Sequence, residues 1–280
     1  MKQLPHIASL LYGTPWAILP QHHAELGHLY RNYLAGTLTQ AAATVEPPAA
    51  GGGQVRVSSG ISYQVASGIG IISLGGIISK RAPEMMCGPA LVDLAKFDAV
   101  IEDLSADPLI HTLIMDWDSP GGVCIGLMET TALLREIAQE KRLIAYSDVS
   151  CCSAAYYLAA ACDEIYFAPS AVIGSIGTYC AGLDDSRAWE MDGLELILAK
   201  SGELKAMGHP GKAWTEDERT WLQSQADACG REFRDHVLAR RGAVPLDAMQ
   251  GQWFFAKDAA AELHDGLYRD LPALLSDLLI

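Results

Sequence analysis

The chain has 280 residues, half of them apolar, so it is long enough to bury a substantial core in one large domain, with or without an arm. Its 34 acidic and 20 basic side chains give a formal net charge of −14, which argues against a nucleic-acid-binding surface. The seven cysteines lack zinc-type spacing, and the first residues lack the features of a secretory leader. We therefore expect reduced thiols rather than a disulfide framework.

The N-terminal region is predicted to be an arm. Apolar side chains at helical spacing predict an amphipathic helix from Gln21 to Leu34, and the Ala-, Pro- and Gly-rich stretch from Ala41 to Gly53 predicts a linker. The helix could pack on the main domain or serve in assembly or targeting. We predict that residues 1–65 form the arm and linker and that residues 66–280 form the main domain.

No membrane anchor is expected. The stretch from Val57 to Ser79 is uncharged and is long enough to cross a bilayer, but serines and glycines interrupt it throughout. This pattern predicts a pair of strands.

Strand and helix patterns alternate after Gly68, which predicts βαβ units and a largely parallel sheet. The predicted strands are Ile69 to Ile78, Thr112 to Trp117, Leu143 to Asp148, Ile165 to Ala168 and Leu194 to Lys200. The predicted helices are Leu91 to Leu104, Val123 to Glu140, Ala154 to Ala161 and a helix ending near Arg241. Thr215 and Glu218 have the spacing of a capping box for that last helix. No internal repeat is visible, so one copy of the domain is expected.

A glycine turn follows the strand predicted to end at Trp117. The sequence Asp118-Ser119-Pro120-Gly121-Gly122 can turn backbone N–H groups toward an anion, because glycine adopts dihedral angles that other residues avoid and allows close approach to the backbone. Acyl transfer requires such donors for its oxyanion.

Ser153 is the candidate nucleophile. It lies between an apolar strand pattern and a short helix pattern, so its hydroxyl is expected near a helix N-terminus. A serine there could simply be an N-cap. Cys151 and Cys152 could also be proposed as nucleophiles, but neither has an obvious histidine partner.

Lys205 is the candidate base. A serine hydroxyl needs a base, and no histidine occurs in the 55 residues after Ser153, where a Ser–His–Asp protease of the Clp type would carry one. Lys205 follows an apolar run 52 residues after Ser153. A lysine can act as a base if burial lowers its pKa, whereas an ordinary lysine is solvated.

With the second glycine turn Gly174-Ser175-Ile176-Gly177, these motifs occur in the order found in a known family. From about residue 66 to 275 the chain resembles the signal peptide peptidase A family of serine–lysine peptidases, which has the Clp-protease/crotonase fold, and in particular its bacteriophage head-maturation (capsid assembly) branch. The resemblance implies an α/β superhelix of βαβ units with an N-terminal helical arm.

The resemblance also implies roles for individual residues. Ser153 would be the nucleophile and Lys205 the general base, with Ser175 orienting the lysine. Gly121, Gly122 and Ala154 would form the oxyanion hole. Many bacterial members have glycines directly after the nucleophile, whereas this chain has Ala154 and Ala155, as phage members often do. Bacterial members are also usually membrane-anchored, whereas no anchor is expected in this chain.

The activity implied is hydrolysis of peptide bonds without a metal or organic cofactor. The implied substrates are capsid, scaffold or portal-associated proteins, cut in the host cytoplasm or prohead. A homo-oligomer is implied, because the family forms rings in which neighbouring protomers can supply serine and lysine. A separate scaffold partner is also implied. Two alternatives remain open, namely a catalytically silent assembly protein and a crotonase-type acyl-CoA enzyme.

Overall fold

A computed structural model describes residue 11 and residues 14–34, 54–58, 60–81 and 90–279. Among the described residues, the arm contains strand β1 (Pro15–Ile18), followed by helix α1 (Pro20–Leu34). Proline suits the first turn of a helix, because an N–H there has no intrahelical acceptor. The arm helix is therefore confirmed, whereas the predicted linker from Ala41 to Gly53 lies outside the described residues.

The larger sheet contains nine strands among the described residues. Its main path has the order β13-β11-β9-β7-β4-β3-β2, and β10 joins β9 and β14 beside it. The strands are β2 (Val55–Ser58), β3 (Ile61–Ala66), β4 (Ile69–Gly75), β7 (Thr112–Ser119), β9 (Arg142–Cys152), β10 (Glu164–Phe167), β11 (Val172–Gly174), β13 (Trp253–Phe255) and β14 (Gly266–Leu267). The central strands β4, β7, β9 and β11 are mutually parallel. Most residues of β4 and β7 are buried, as expected of strands covered on both faces.

A smaller sheet lies beside the carboxyl ends of these strands. It has the order β12-β1-β8-β5-β6 and consists of β1, β5 (Ile77–Ser79), β6 (Leu91–Asp93), β8 (Gly121–Val123) and β12 (Tyr179–Cys180). Strands β5 and β8 directly follow β4 and β7, so the chain passes from the larger sheet to the smaller one at Gly76 and again at Pro120. The glycine turn is thus the junction of the two sheets.

Six more helices complete the described part of the chain. They are α2 (Leu94–Ala106), α3 (Leu127–Ile137), α4 (Ala154–Ala159), α5 (Ser186–Met191), α6 (Glu216–Arg241) and α7 (Leu271–Leu278). Helix α2 turns Leu94, Phe97, Ile101 and Leu104 into the core at helical spacing. Helix α4 is buried along its whole length and belongs to the same core cluster. The predicted α/β class with a largely parallel sheet is confirmed.

Several element boundaries differ from prediction. The strand expected from Ile69 to Ile78 is divided at Gly76. Val123, the first residue of the helix expected from Val123 to Glu140, ends β8, and the helix spans Leu127–Ile137. The capping box of Thr215 and Glu218 is confirmed. The strand expected from Leu194 to Lys200 is wrong: this stretch has no regular structure, and Ile197 is 92 % exposed. An apolar run becomes a strand only when another strand pairs with it, and none does so here among the described residues.

The other outcomes concern the arm boundary and the membrane. Strand β2 lies before the boundary predicted after residue 65, and strand β3 crosses it. Strand β2 pairs with β3, and β3 pairs with β4 of the main domain. That boundary remains a prediction. Among the described residues, no helix is both long and apolar enough to span a membrane.

Candidate active site

The candidate site lies where parallel strands β7, β9 and β11 end. Ser119 at the end of β7 is paired with Cys151 in β9, and Cys152 is paired with Gly174 at the end of β11. Because parallel strands end at the same edge of a sheet, the two glycine turns and Ser153 are brought together there. In open α/β sheets, this carboxyl edge is where ligands bind.

Ser153 has a strained backbone at the strand-to-helix junction. Its φ is +54° and its ψ is −115°, a region that non-glycine residues rarely occupy. The Ser153 N–H donates to the Gly174 carbonyl over 2.8 Å, and the Ser153 carbonyl accepts from the Tyr157 N–H in the first turn of α4. These bonds hold the residue in its turn.

The Ser153 hydroxyl has no structural task among the described residues. The residue is 1 % exposed, and its Oγ has no hydrogen-bond partner there. Although Ser153 occupies the N-cap position of α4, its side chain makes no capping hydrogen bond. A buried, unpaired hydroxyl costs about 1–3 kcal/mol, so such a group is expected where function requires it. The simple N-cap interpretation is therefore not supported.

The glycine turn touches Ser153. Gly121 has a φ of +104°, and a Cβ placed on it would lie 2.9 Å from the Ser153 Cβ. The Gly121 N–H donates to the Ser119 hydroxyl over 3.2 Å, and that hydroxyl donates to the Gly76 carbonyl over 2.7 Å. Ser119, which is fully buried, thus fixes the turn. The sequence analysis placed Ser119 in the glycine turn but predicted no role for it, although a serine directly before Pro-Gly-Gly could have been expected to bind the turn.

The second half of the expected oxyanion hole is also adjacent. Ala154 is the first residue of α4 and is fully buried. Backbone N–H groups in the first turn of a helix have no intrahelical acceptor, and they point along the helix axis toward its N-terminus. Gly121 and Ala154 therefore both lie next to Ser153, whereas a Cβ placed on Gly122 would lie 1.9 Å from the Ile78 carbonyl oxygen. The oxyanion-hole roles of the three residues stay predictions.

The neighbouring thiols are poor nucleophile candidates. Burial raises the pKa of Cys152 to about 12, and burial raises the pKa of Cys151 well above its usual value. The Cys152 Sγ contacts the Val172 carbonyl at 3.4 Å. Because the thiolate is the reactive form, neither side chain suits attack on a carbonyl at neutral pH.

Ser175 lies in the turn that also binds Ser153. Its φ is +52° and the residue is 4 % exposed. Its N–H donates to the Gln252 carbonyl over 2.8 Å, and its hydroxyl donates to the Gly251 carbonyl over 3.3 Å. The structure thus brings Ser175 to the site, but its hydroxyl contacts main chain rather than a lysine.

Lys205 is not brought to Ser153 within one chain. It lies in a series of turns at 201–208, its side chain is exposed, and its N–H donates to the Gly202 carbonyl over 3.0 Å. The stretch before it carries exposed apolar side chains at Met191, Leu194 and Ile197. The predicted serine–lysine pair is therefore not closed inside a single protomer.

Strand β1 is the part of the site that sequence reasoning missed. It pairs with β8 in the glycine turn on one side and with β12 on the other, antiparallel to both. Its four residues are too few for periodicity to reveal, and no signal in the sequence indicates which strand a short arm segment will join.

Together these features define an α/β protein whose strained, buried serine lies beside a glycine turn at the carboxyl edge of a parallel sheet, a position that suits a nucleophilic serine. Residues 135–266, which include Ser153, Ser175 and Lys205, match the model of Peptidase family S49. The chain is similar to that family over these residues, and the resemblance inferred from the motifs is confirmed.

Two phage proteins are similar to the chain over most of its length. Capsid assembly protease C of Escherichia phage lambda is 27 % identical, over 98 % of this chain and 65 % of the phage protein. Head-tail preconnector protein GP5 of Enterobacteria phage P21 is 26 % identical, over 75 % of this chain and 42 % of the phage protein. The chain thus spans less than two thirds of the length of either relative.

Solved structures also resemble the chain. A member of the enoyl-CoA hydratase/isomerase family is 16 % identical with a TM-score of 0.45, covering 78 % of this chain and 76 % of the other. A variant of a membrane-bound stomatin-specific protease in complex with a substrate peptide is 15 % identical with a TM-score of 0.38, covering 65 % of this chain and 70 % of the other.

Proposed function

We propose that the protein is a serine endopeptidase with a Ser153–Lys205 dyad. The observation that carries this proposal is the strained, buried Ser153, whose hydroxyl has no partner among the described residues and whose Cβ lies against Gly121. A serine held in an unfavourable conformation without a structural role is best explained by a reaction that uses it.

In the proposed mechanism, neutral Lys205 accepts the Ser153 hydroxyl proton while Oγ attacks a peptide carbonyl. The oxyanion is stabilised by the N–H of Ala154 and that of Gly121 or Gly122. The amine leaves with a proton from the Lys205 ammonium, and the acyl group remains on Ser153. Water then transfers a proton to Lys205 and attacks the ester, which releases the acid and restores the serine. Ser175 orients the lysine.

The base is proposed to come from a neighbouring protomer. Lys205 is exposed in one chain, and exposed Met191, Leu194 and Ile197 precede it on the same stretch. Contact between subunits would cover these apolar side chains and carry the lysine into the next site. A ring of identical subunits repeats one such head-to-tail contact around its axis.

Capsid, scaffold or portal-associated proteins are the proposed substrates. This proposal follows the phage proteins that the chain resembles, one of which is described as a capsid assembly protease. Cleavage would then take place in the host cytoplasm or the prohead, with scaffold supplied as a separate protein. We expect cut sites with small or apolar side chains.

Complementation between two inactive variants tests the mechanism. Ser153→Ala and Lys205→Ala are purified separately and then mixed under conditions that allow subunit exchange. Candidate capsid and scaffold proteins are added to the mixture, and their cleavage is measured. Each variant alone should be inactive. In a random equal mixture, about a quarter of the sites would combine an intact serine with an intact lysine from a neighbour, so about a quarter of the activity should return.

Other outcomes separate the parts of the proposal. A mixture that stays inactive, with wild-type chain active, would place both groups in one protomer. Full activity of either single variant would exclude that residue from the mechanism. No cleavage by the wild-type chain and no labelling of Ser153 by a fluorophosphonate would favour a silent assembly protein. Ser175→Ala should slow turnover without preventing folding, and a normal rate would remove Ser175 from the mechanism.

A further inference from the structure

Strand β1 lies between β8, which begins in the first glycine turn, and β12, which follows the second. Ile18, Ala17 and Trp16 pair with Gly121, Gly122 and Val123 of β8, and Trp16 also pairs with Tyr179 of β12. An extended peptide binds to an open strand edge by the same antiparallel main-chain pairing. The arm therefore has the geometry of a bound peptide.

The strand lies close to the candidate nucleophile. A Cβ placed on Gly121 would lie 2.2 Å from the Ala17 carbonyl oxygen and 2.9 Å from the Ser153 Cβ, so Ala17 and Ser153 flank the same glycine. The pairing extends past the strand on both sides, because the Leu19 N–H donates to the Pro120 carbonyl and the Cys124 N–H donates to the Pro15 carbonyl.

The arm is packed as well as paired. Trp16 and Ile18 form a buried cluster with Ile77 and Val123, and Trp16, Ala17 and Ile18 are at most 4 % exposed. The His23 ring of α1 packs against Trp16 in a tilted arrangement with 5.0 Å between ring centroids. With β1 in place, Ser153 is 1 % exposed, so a second extended chain has no room beside it.

We infer that the segment Pro15–Leu19 is an intramolecular occupant of the peptide groove, which keeps the chain latent until the arm is displaced. This inference rests on the proposed peptidase function, because it assigns the same groove to substrate. The occupant and an extended substrate compete for the edges of β8 and β12. The apparent substrate affinity is therefore lower when fewer molecules have an open arm, and it rises as the arm leaves the groove.

A matched pair of substitutions in the full chain tests this inference. Ala17→Asp puts a carboxylate at a residue that is 1 % exposed, whereas Ala24→Asp makes the same change on the exposed face of α1. Two readouts are compared: hydrogen exchange of segments containing β8 and β12, and the rate of Ser153 labelling by a fluorophosphonate.

For Ala17→Asp we expect faster exchange in β8 and β12 and labelling accelerated about tenfold or more, since burying an unpaired carboxylate favours the open arm. A synthetic peptide with the sequence from Thr14 to Leu19 should restore protection and slow labelling, while a scrambled peptide should not. Ala24→Asp should behave like wild type. The milder Trp16→Ala, which removes packing without adding charge, should shift both readouts in the same direction if Ala17→Asp does not fold.

The outcomes distinguish this inference from the proposed function. If both variants are labelled and exchange as wild type does, the arm is not an inhibitor, although the peptidase proposal stands. If exchange increases and peptide binding is seen but Ser153 remains unlabelled, the groove and its occupant stand and the peptidase proposal fails. Faster labelling of Ala24→Asp to the same extent would also overturn the inference.

Discussion

At the scale of single residues, the site depends on backbone conformations that few residues tolerate. Ser153, Ser175 and Gly121 all have positive φ. The Ser153 N–H donates to the carbonyl of Gly174, the residue before Ser175, and Gly121 lies against the Ser153 Cβ. Such strain is maintained only where the surrounding structure holds it. Small changes at these positions are therefore expected to affect activity more than their size suggests.

Gly121→Ala should abolish peptidase activity. The added methyl would lie 2.2 Å from the Ala17 carbonyl oxygen, 2.9 Å from the Ser153 Cβ and 3.0 Å from the Cys152 carbonyl oxygen, at a φ of +104°. The turn must shift, and with it the proposed oxyanion donor; the loss of one such donor costs about 10²–10³ in rate. Gly75→Ala is the control, because nothing lies within 4 Å of its added Cβ. Equal rates of substrate cleavage for the two variants would contradict this view of the turn.

At the scale of elements, local signals in the sequence account for most of what was predicted. The apolar-rich sequences of β4, β7 and β9 are typical of strands covered on both faces, and they alternate with helices whose apolar side chains recur at helical spacing. Helix α6 is marked by its capping box and by the basic pair Arg240 and Arg241 in its last turn. These signals are local, so they can be read from the sequence.

What could not be predicted depends on partners distant in the chain. The run from Leu194 to Lys200 has the composition of a strand, but no described strand pairs with it. Conversely, the four residues of β1 carry little pattern, yet they become buried because β8 and β12 offer free edges. Ser153 was identified from its motif. Its positive φ could not be predicted, because it depends on how β9, α4 and the end of β11 meet.

Thr215→Ala should destabilise the protein by about 1 kcal/mol, the usual cost of losing an N-cap. The Thr215 hydroxyl accepts from the Glu218 N–H over 3.3 Å, and the Glu218 carboxylate accepts from the Thr215 N–H over 3.0 Å. Thr220→Ala is the matched control at an exposed position within α6. Alanine favours a helix, so this change should be neutral or slightly stabilising. Chemical denaturation measures both, and an equal loss in the two variants would argue against a capping effect.

At the scale of the whole molecule, the negative charge has a consequence for stability. Acidic side chains outnumber basic ones, and some of them meet at the larger sheet. Burial, followed by repulsion from Asp148 and Asp118, raises the pKa of Asp116 from its usual value of 3.8 to about 7. The folded chain therefore holds a proton there that the unfolded chain releases at lower pH.

Asp116→Asn should stabilise the protein in a pH-dependent manner. Because the folded pKa is raised, the wild type loses stability as the pH rises from about 4 through 7, and it does not regain it above. The variant should gain about 1–3 kcal/mol in free energy of unfolding at pH 8 and little at pH 4. Asp103→Asn, at an exposed position of α2, should show no such trend. Denaturant unfolding across this pH range is the measurement, and a pH-independent difference would contradict the assignment.

Strand β1 is joined covalently to the groove that it fills, so its competition with substrate is a matter of local concentration. A tethered segment meets its site at an effective concentration on the order of millimolar, whatever the concentration of the protein. A dilute protein in free solution would rarely displace it. A substrate packed densely around the enzyme, as within an assembling particle, would reach a comparable concentration. Tethering of this kind would make cleavage respond to crowding, so that the enzyme spares its substrates before they gather.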